Sequence, residues 1–198
     1  MRYLALGDSY TIGEGVADAQ RWPMQLIARL GQQGIAVNAP QIVATTGWTT
    51  DELSAAMDTA PLEPPYDLVS LLIGVNNQYR GRHAREYEHE FAGLLARALR
   101  LAGDRRGRTL VLSIPDWGVT AFGVRSGRNT AQIARELDDY NTIARKICVA
   151  EQVAFVDITP ISRQYPAQVT ADELHPSGEQ YGLWVEWALP TVHAMLSS

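Results

Sequence analysis

Three residues of this sequence could together perform nucleophilic chemistry: Ser9, Asp172 and His175. Ser9 stands in Gly7-Asp8-Ser9-Tyr10-Thr11, directly after the apolar run Tyr3–Leu6, so its hydroxyl falls where a buried strand gives way to a loop. A serine hydroxyl is a weak nucleophile until a base takes its proton, and that base needs a third group to orient it. Asp172-Glu173-Leu174-His175-Pro176 supplies both partners in compact form. A turn over this spacing can set the carboxylate beside Nδ1–H while Nε2 faces the serine. On spacing alone a blander reading is favoured, with Ser9 as a turn or N-cap residue and Asp172 as a cap on the last helix.

The elements that would have to bring these ends together can be read from the apolar pattern. Five short apolar runs, Tyr3–Leu6, Ala36–Val43, Leu68–Ile73, Leu110–Ile114 and Ala154–Ile158, read as buried strands. Helical patterns alternate with them over Trp22–Gln33, Thr50–Met57, Ala84–Leu101 and Thr130–Glu151, and a closing helix runs from about Ser177 to Leu196. Thr130 is the expected cap of the fourth helix, Gly103 the expected stop of the third, and Pro190 should kink or end the last one early. Near-continuous apolar strands alternating with helices predict a parallel sheet covered on both faces, a three-layer α/β/α sandwich spanning residues 1–198 as a single domain.

In such a sheet, ligands sit beyond the carboxyl ends of the strands. The loops at that edge carry further suitable groups. Acyl transfer needs donors aimed at a developing oxyanion. The N–H of Gly47, in Thr45-Thr46-Gly47-Trp48, can approach a substrate closely, and Asn76, straight after the third strand, offers a carboxamide. With the Ser9 N–H they make three candidate donors. Taken singly, Gly47 reads as a positive-φ turn and Asn76 as support for its own loop. Four loops matching one mechanism at one sheet edge are harder to set aside. Tyr10, Trp48, Tyr79 and Trp117 lie in the same loops and could form an aromatic wall, or simply pack the rim. Arg80 and Arg82 could attract an anionic leaving group, although solvated charges are the commoner use.

Gly7-Asp8-Ser9-Tyr10, the lone Gly47, Gly74-x-Asn76 and Asp172-x-x-His175 resemble, in order and over nearly the whole chain, the four sequence blocks of the SGNH hydrolases, the GDSL-type esterases and lipases. The resemblance implies a flavodoxin-like α/β/α fold with strand order 2-1-3-4-5. It also implies Ser9 as nucleophile, His175 as base, Asp172 as its orienting partner, and an oxyanion hole of Ser9 N–H, Gly47 N–H and Asn76. Asn77 departs from the pattern, because the family usually has Asp there; Asn keeps the shape and loses the charge.

Other readings find less support. No G-x-S-x-G elbow is present, and Gly7–Gly15 lacks both the dinucleotide fingerprint and the P-loop Lys-Ser/Thr. His83, His89 and His193 are scattered without ligand spacing, so neither metal nor cofactor is expected. Cys148 is the single cysteine, read as a small buried hydrophobe. A net charge of −5 argues against nucleic acid as a partner, and the Arg97–Arg108 run reads as a solvated helix end. No apolar run reaches membrane-spanning length, and Met1–Leu6 is too short for a signal peptide, which predicts a cytoplasmic location. The expected activity is hydrolysis of small or medium acyl esters. Acyl transfer or thioester cleavage with the same nucleophile, a non-catalytic α/β binding module and a flavin binder are the alternatives.

Overall fold

A computed structural model of the chain describes residues 1–197. The chain alternates strands and helices in the order β1 (Tyr3–Gly7), α1 (Ser9–Ile12), α2 (Trp22–Gln32), β2 (Gln41–Ala44), α3 (Thr50–Thr59), β3 (Leu68–Leu72), α4 (Val75–Tyr79) and α5 (Ala84–Leu101). It continues through β4 (Thr109–Leu112), α6 (Ala121–Arg125), α7 (Thr130–Ala150), β5 (Ala154–Val156), α8 (Thr159–Gln164) and α9 (Gly178–Ser197). The strands form one parallel sheet in the order β2-β1-β3-β4-β5. Helix α2 packs with α9, while α3, α5 and α7 pack side by side. The result is the α/β/α arrangement anticipated from the alternation.

Every residue of β1 and β3 is buried, including Ser70, whose hydroxyl pairs with the Tyr3 hydroxyl at 2.9 Å one strand away. Burying an apolar side chain here is worth roughly 1.5–3 kcal/mol, and there is no solvent face to alternate toward. Trp22, Leu26, Tyr181 and Trp184 fill the space between α2 and α9, whereas Trp187 on the outer side of α9 is 64% exposed. Cys148 is buried, which pushes its thiol up to about 12. Among the described residues, no helix is long and apolar enough to cross a membrane.

The strands end sooner than the apolar runs, for identifiable reasons. β2 starts at Gln41 and not Ala36, because Pro40 has no N–H to donate into the ladder with β1. Beyond β4 the Ile114 N–H is taken by Asn141 Oδ1 at 2.7 Å, and beyond β5 the Ile158 N–H is taken by Ser113 Oγ at 2.8 Å. Side chains thus replace the ladder where the chain turns toward its loops. Two helix ends also differ from expectation. Asn129, not Thr130, caps α7 by accepting from the Gln132 N–H at 3.0 Å. Pro190 lies within α9 without ending it; Pro190 and Glu186 are both exposed, so the Glu186 carbonyl that loses its donor lies on the solvent side. Gly103 does stop α5, with φ +70 and the Asp104 N–H returning to Leu99 O at 2.9 Å.

Candidate active site

Ser9 is placed by the end of β1 and the single helical turn α1 that follows. Asp8 caps this turn, its carboxylate accepting the Tyr10 N–H at 3.0 Å, and Gly13 closes it in the left-handed region at φ +71. Gly7 admits no side chain: a Cβ there would lie 2.2 Å from Thr11 Oγ1 and 2.5 Å from Leu72 O. The turn is therefore pressed directly onto the neighbouring strand. Asp8 is fully buried and one of its oxygens has no partner. Burial pushes its carboxyl up to about 7, against the opposing effect of the Tyr10 and Asp8 N–H groups.

His175 is brought to the same place from the other end of the chain. Its Nδ1 lies 2.6 Å from Asp172 Oδ2. The other carboxylate oxygen of Asp172 accepts from the Thr170 hydroxyl and Leu174 N–H, each at 2.8 Å, and from the His175 N–H at 3.0 Å. Partial burial works to raise the Asp172 carboxyl, but the His175 ring and these donors outweigh it and hold the group down at about 2. The loop closes on itself through the Val169–Pro176 bridge and a 2.7 Å bond from the Thr170 N–H to His175 O. The imidazole is largely buried; the carboxylate behind it is 42% exposed.

Ser9 and His175 line one cleft of about 220 Å³ at the carboxyl edge of the sheet. The Ser9 hydroxyl makes no hydrogen bond among the described residues. Catalytic hydrogen bonds are commonly long in a ligand-free site and tighten on substrate. Gly47 and Asn76 line the same cleft. Gly47 has φ +87 and open space around its Cα, so the left-handed backbone, and not crowding, is what calls for glycine. Asn76 Nδ2 donates to Trp48 O at 2.9 Å, which fixes the amide and leaves its second N–H available. Ser9 N–H opens a helical turn and has no intrahelical acceptor.

Of the aromatic residues expected at this edge, Tyr10, Tyr79 and Trp117 line the cleft. Tyr10 meets the His175 ring edge-on at 5.8 Å, and Tyr79 meets Trp117 the same way at 5.3 Å. Trp48 is not part of the wall: its side chain packs against the core and its carbonyl holds Asn76. Val75, Phe122 and Leu174 complete the apolar lining, and the sequence reading missed all three. Leu174 lies inside the Asp172–His175 block, so its neighbours alone could have indicated it. Arg128 covers the outer side of Tyr79 and Trp117, its guanidinium 5.5 and 5.3 Å from the two rings.

Asn77 is fully buried and holds the adjacent helix start, its Oδ1 accepting the Thr50 N–H at 3.1 Å and its Nδ2 donating to the Thr50 hydroxyl at 2.6 Å. The Thr50 hydroxyl in turn donates to Glu90. Arg82 pairs with Asp51 at 2.7 Å, and Arg80 spends its guanidinium on Gly47 O at 2.7 Å and Glu52 at 3.2 Å. Neither arginine is left to receive an anion. His83 and His89 are exposed, and among the described residues no group of three or more His, Cys, Asp or Glu side chains is placed to hold a metal ion.

Comparison with known proteins bears on the fold and the family. No curated protein sequence matches the chain. Among solved structures, the chain superposes on TesA with a TM-score of 0.77 at 18% identity, covering 99% of this chain and 100% of that one. It superposes on a lipase/acylhydrolase from Enterococcus faecalis with a TM-score of 0.75 at 19% identity, covering 98% and 96%. Axe2, an acetylxylan esterase from Geobacillus stearothermophilus, gives 0.75 at 18% identity, covering 96% and 93%. At these identities the likeness is one of fold. The model of the GDSL-like lipase/acylhydrolase family matches residues 5–183, and the chain belongs to that family.

Proposed function

We propose that this hydrolase cleaves uncharged carboxylic esters of small or medium acyl groups through an acyl-enzyme intermediate. His175 Nε2 takes the Ser9 proton as Oγ attacks the ester carbonyl. The carbonyl oxygen becomes an oxyanion held by Ser9 N–H, Gly47 N–H and Asn76 Nδ2. Collapse breaks the bond to the alkoxy oxygen, which leaves as an alcohol with the proton from His175. Water then attacks the acyl carbon, His175 takes its proton and returns it to Ser9 Oγ, and the acid departs. Asp172 holds the ring tautomer that carries hydrogen on Nδ1, and stabilises the imidazolium when it forms.

The observation that carries this reading is the 2.6 Å contact between Asp172 and the ring of His175, which lines the same cleft as Ser9. The nature of the cleft supports the substrate class. Its walls are aromatic and aliphatic, and the nearby arginines are committed to Glu52, Asp51, Glu136 and backbone carbonyls. A volume of about 220 Å³ lies below the roughly 300–1,000 Å³ of pockets that enclose drug-sized ligands. Short acyl groups therefore suit it better than long ones.

The test is turnover of p-nitrophenyl esters of increasing acyl length by wild type and by Ser9→Ala. Wild type should prefer the short esters, and the variant should lose roughly three orders of magnitude or more in kcat. A fluorophosphonate should add one covalent label to wild type and none to the variant, read by intact mass. Equal rates in the two proteins would remove serine chemistry from consideration.

A further inference from the structure

Between the candidate orienting carboxylate and the candidate base stands Glu173, at φ +62, in the left-handed region that a glutamate seldom occupies. A residue held there needs surroundings that fix it. Two interactions from α6 meet it. The Phe122 N–H donates to Glu173 O at 3.1 Å, and the Arg125 guanidinium pairs with the Glu173 carboxylate. Within the loop, the Glu173 N–H donates to Thr170 O at 2.9 Å.

Helix α6 is itself firmly seated. Thr120 Oγ1 caps it by accepting the Gly123 N–H at 3.0 Å, and a Cβ on Gly123 would lie 2.3 Å from Trp117 O. The segment before it is tied to α8 by Arg163 Nε on the buried Asp116 carboxylate at 2.9 Å and by the Asp116 N–H on Ser162 Oγ at 2.8 Å. A seated helix therefore grips a loop whose other hydrogen bonds are local. Phe122, which donates to Glu173, also lines the cleft with its ring.

We propose that Arg125 and Glu173 are positioning residues, whose ion pair clasps α6 to the Asp172–His175 loop and keeps the imidazole aligned with its carboxylate. The proposal rests on the serine-hydrolase reading for its kinetic consequence, but the alignment itself is independent of any substrate. The side chains of Arg125 and Glu173 are 60% and 46% exposed, so solvent and salt screen the pair and its effect is modest.

The experiment compares wild type, Arg125→Glu and the charge-reversed double variant Arg125→Glu with Glu173→Arg. Arg125→Glu places two carboxylates face to face at the clasp. It should lower kcat by about 3–10-fold, with KM changed less than about twofold and the thermal midpoint nearly unchanged. The double variant should restore kcat to within about twofold of wild type. A second readout needs no substrate: ¹⁵N shifts of the His175 ring report its tautomer. Wild type should hold hydrogen on Nδ1, Arg125→Glu should populate both tautomers, and the reversal should return the first. If esters are not turned over at all, the serine-hydrolase reading fails while the tautomer readout still tests the clasp. Wild-type kcat and an unchanged tautomer in Arg125→Glu would overturn the clasp. So would a loss that the double reversal leaves in place.

Discussion

Ser9 and His175 face one cleft, yet the two sides of that cleft are held in different ways. Ser9 follows a strand with no exposed residue, on a turn whose Gly7 touches the next strand and whose Asp8 cap is fully buried. Its position is a consequence of the sheet, and cannot shift without repacking the core. His175 sits on a loop that supplies its own restraints, with three donors converging on one oxygen of Asp172 and a bridge closing the base. Beyond the loop's own bonds, Leu174 packs against the core, the His175 ring meets Tyr10, and α6 holds Glu173. A buried strand end holds the proposed nucleophile rigidly, whereas a self-bonded loop holds the proposed base by polar contacts whose alignment is more open to adjustment.

The difference makes unequal demands on neighbouring residues, and substitutions can expose it. Asn76→Ala, on the sheet side, should lower kcat by about 10²–10³-fold, because on the proposed mechanism it removes a preorganised donor where negative charge develops. KM for a short p-nitrophenyl ester should change little, and a loss confined to KM would contradict an oxyanion role. Asn77→Asp tests how tightly the sheet side is specified. The Asn77 amide lies 2.6 Å from the Thr50 hydroxyl and 3.4 Å from Glu90 Oε2. An aspartate would set a second carboxylate against Glu90, with the loss of one donor, at an expected cost of about 1–3 kcal/mol or several degrees in thermal midpoint. Pairing it with Glu90→Gln should recover most of that loss. An unchanged midpoint in the single variant at neutral pH would show that the pocket tolerates both charges.

Asn77 also illustrates what could be read in the sequence and what could not. The departure from the family's Asp was visible as a missing charge. That Glu90, thirteen positions later on α5, brings a carboxylate to the same hydroxyl depends on α3 and α5 packing together, which no local pattern reveals. The parallel sheet and the loops carrying Ser9, Gly47, Asn76, Asp172 and His175 were legible from the apolar pattern, whereas the strand order came only with the family resemblance, because periodicity marks strands without ordering them. Helices α1, α4, α6 and α8, of four to six residues, were not, since each is too short to show a helical period. Phe122 and Arg125 were lost with α6. For Trp48 the sequence left wall and packing roles open, and packing holds: its carbonyl reaches Asn76 while the indole packs against the core.

The two sides should also respond to pH in opposite directions, through one carboxylate each. Asp8 has its carboxyl raised from the ordinary 3.8 to about 7 by burial. The folded state then binds this proton more tightly than the unfolded chain, so stability falls as pH rises from about 4 to 7 and levels off above. Asp8→Asn keeps an oxygen for the Tyr10 N–H without the charge, so it should flatten that decline. It should raise stability near pH 8 by on the order of 2 kcal/mol, with little change near pH 4. Asp172 is held at about 2, so its contribution is present above 3.8 and disappears as pH falls toward 2. Its exposure limits the size to roughly 1 kcal/mol or less. Thermal midpoints of wild type, Asp8→Asn and Asp172→Asn across pH 2–8 separate the two carboxylates. If Asp8→Asn leaves the slope between pH 4 and 7 as steep as wild type, Asp8 is ionised in the folded protein throughout, and the buried turn beneath Ser9 tolerates a charge after all.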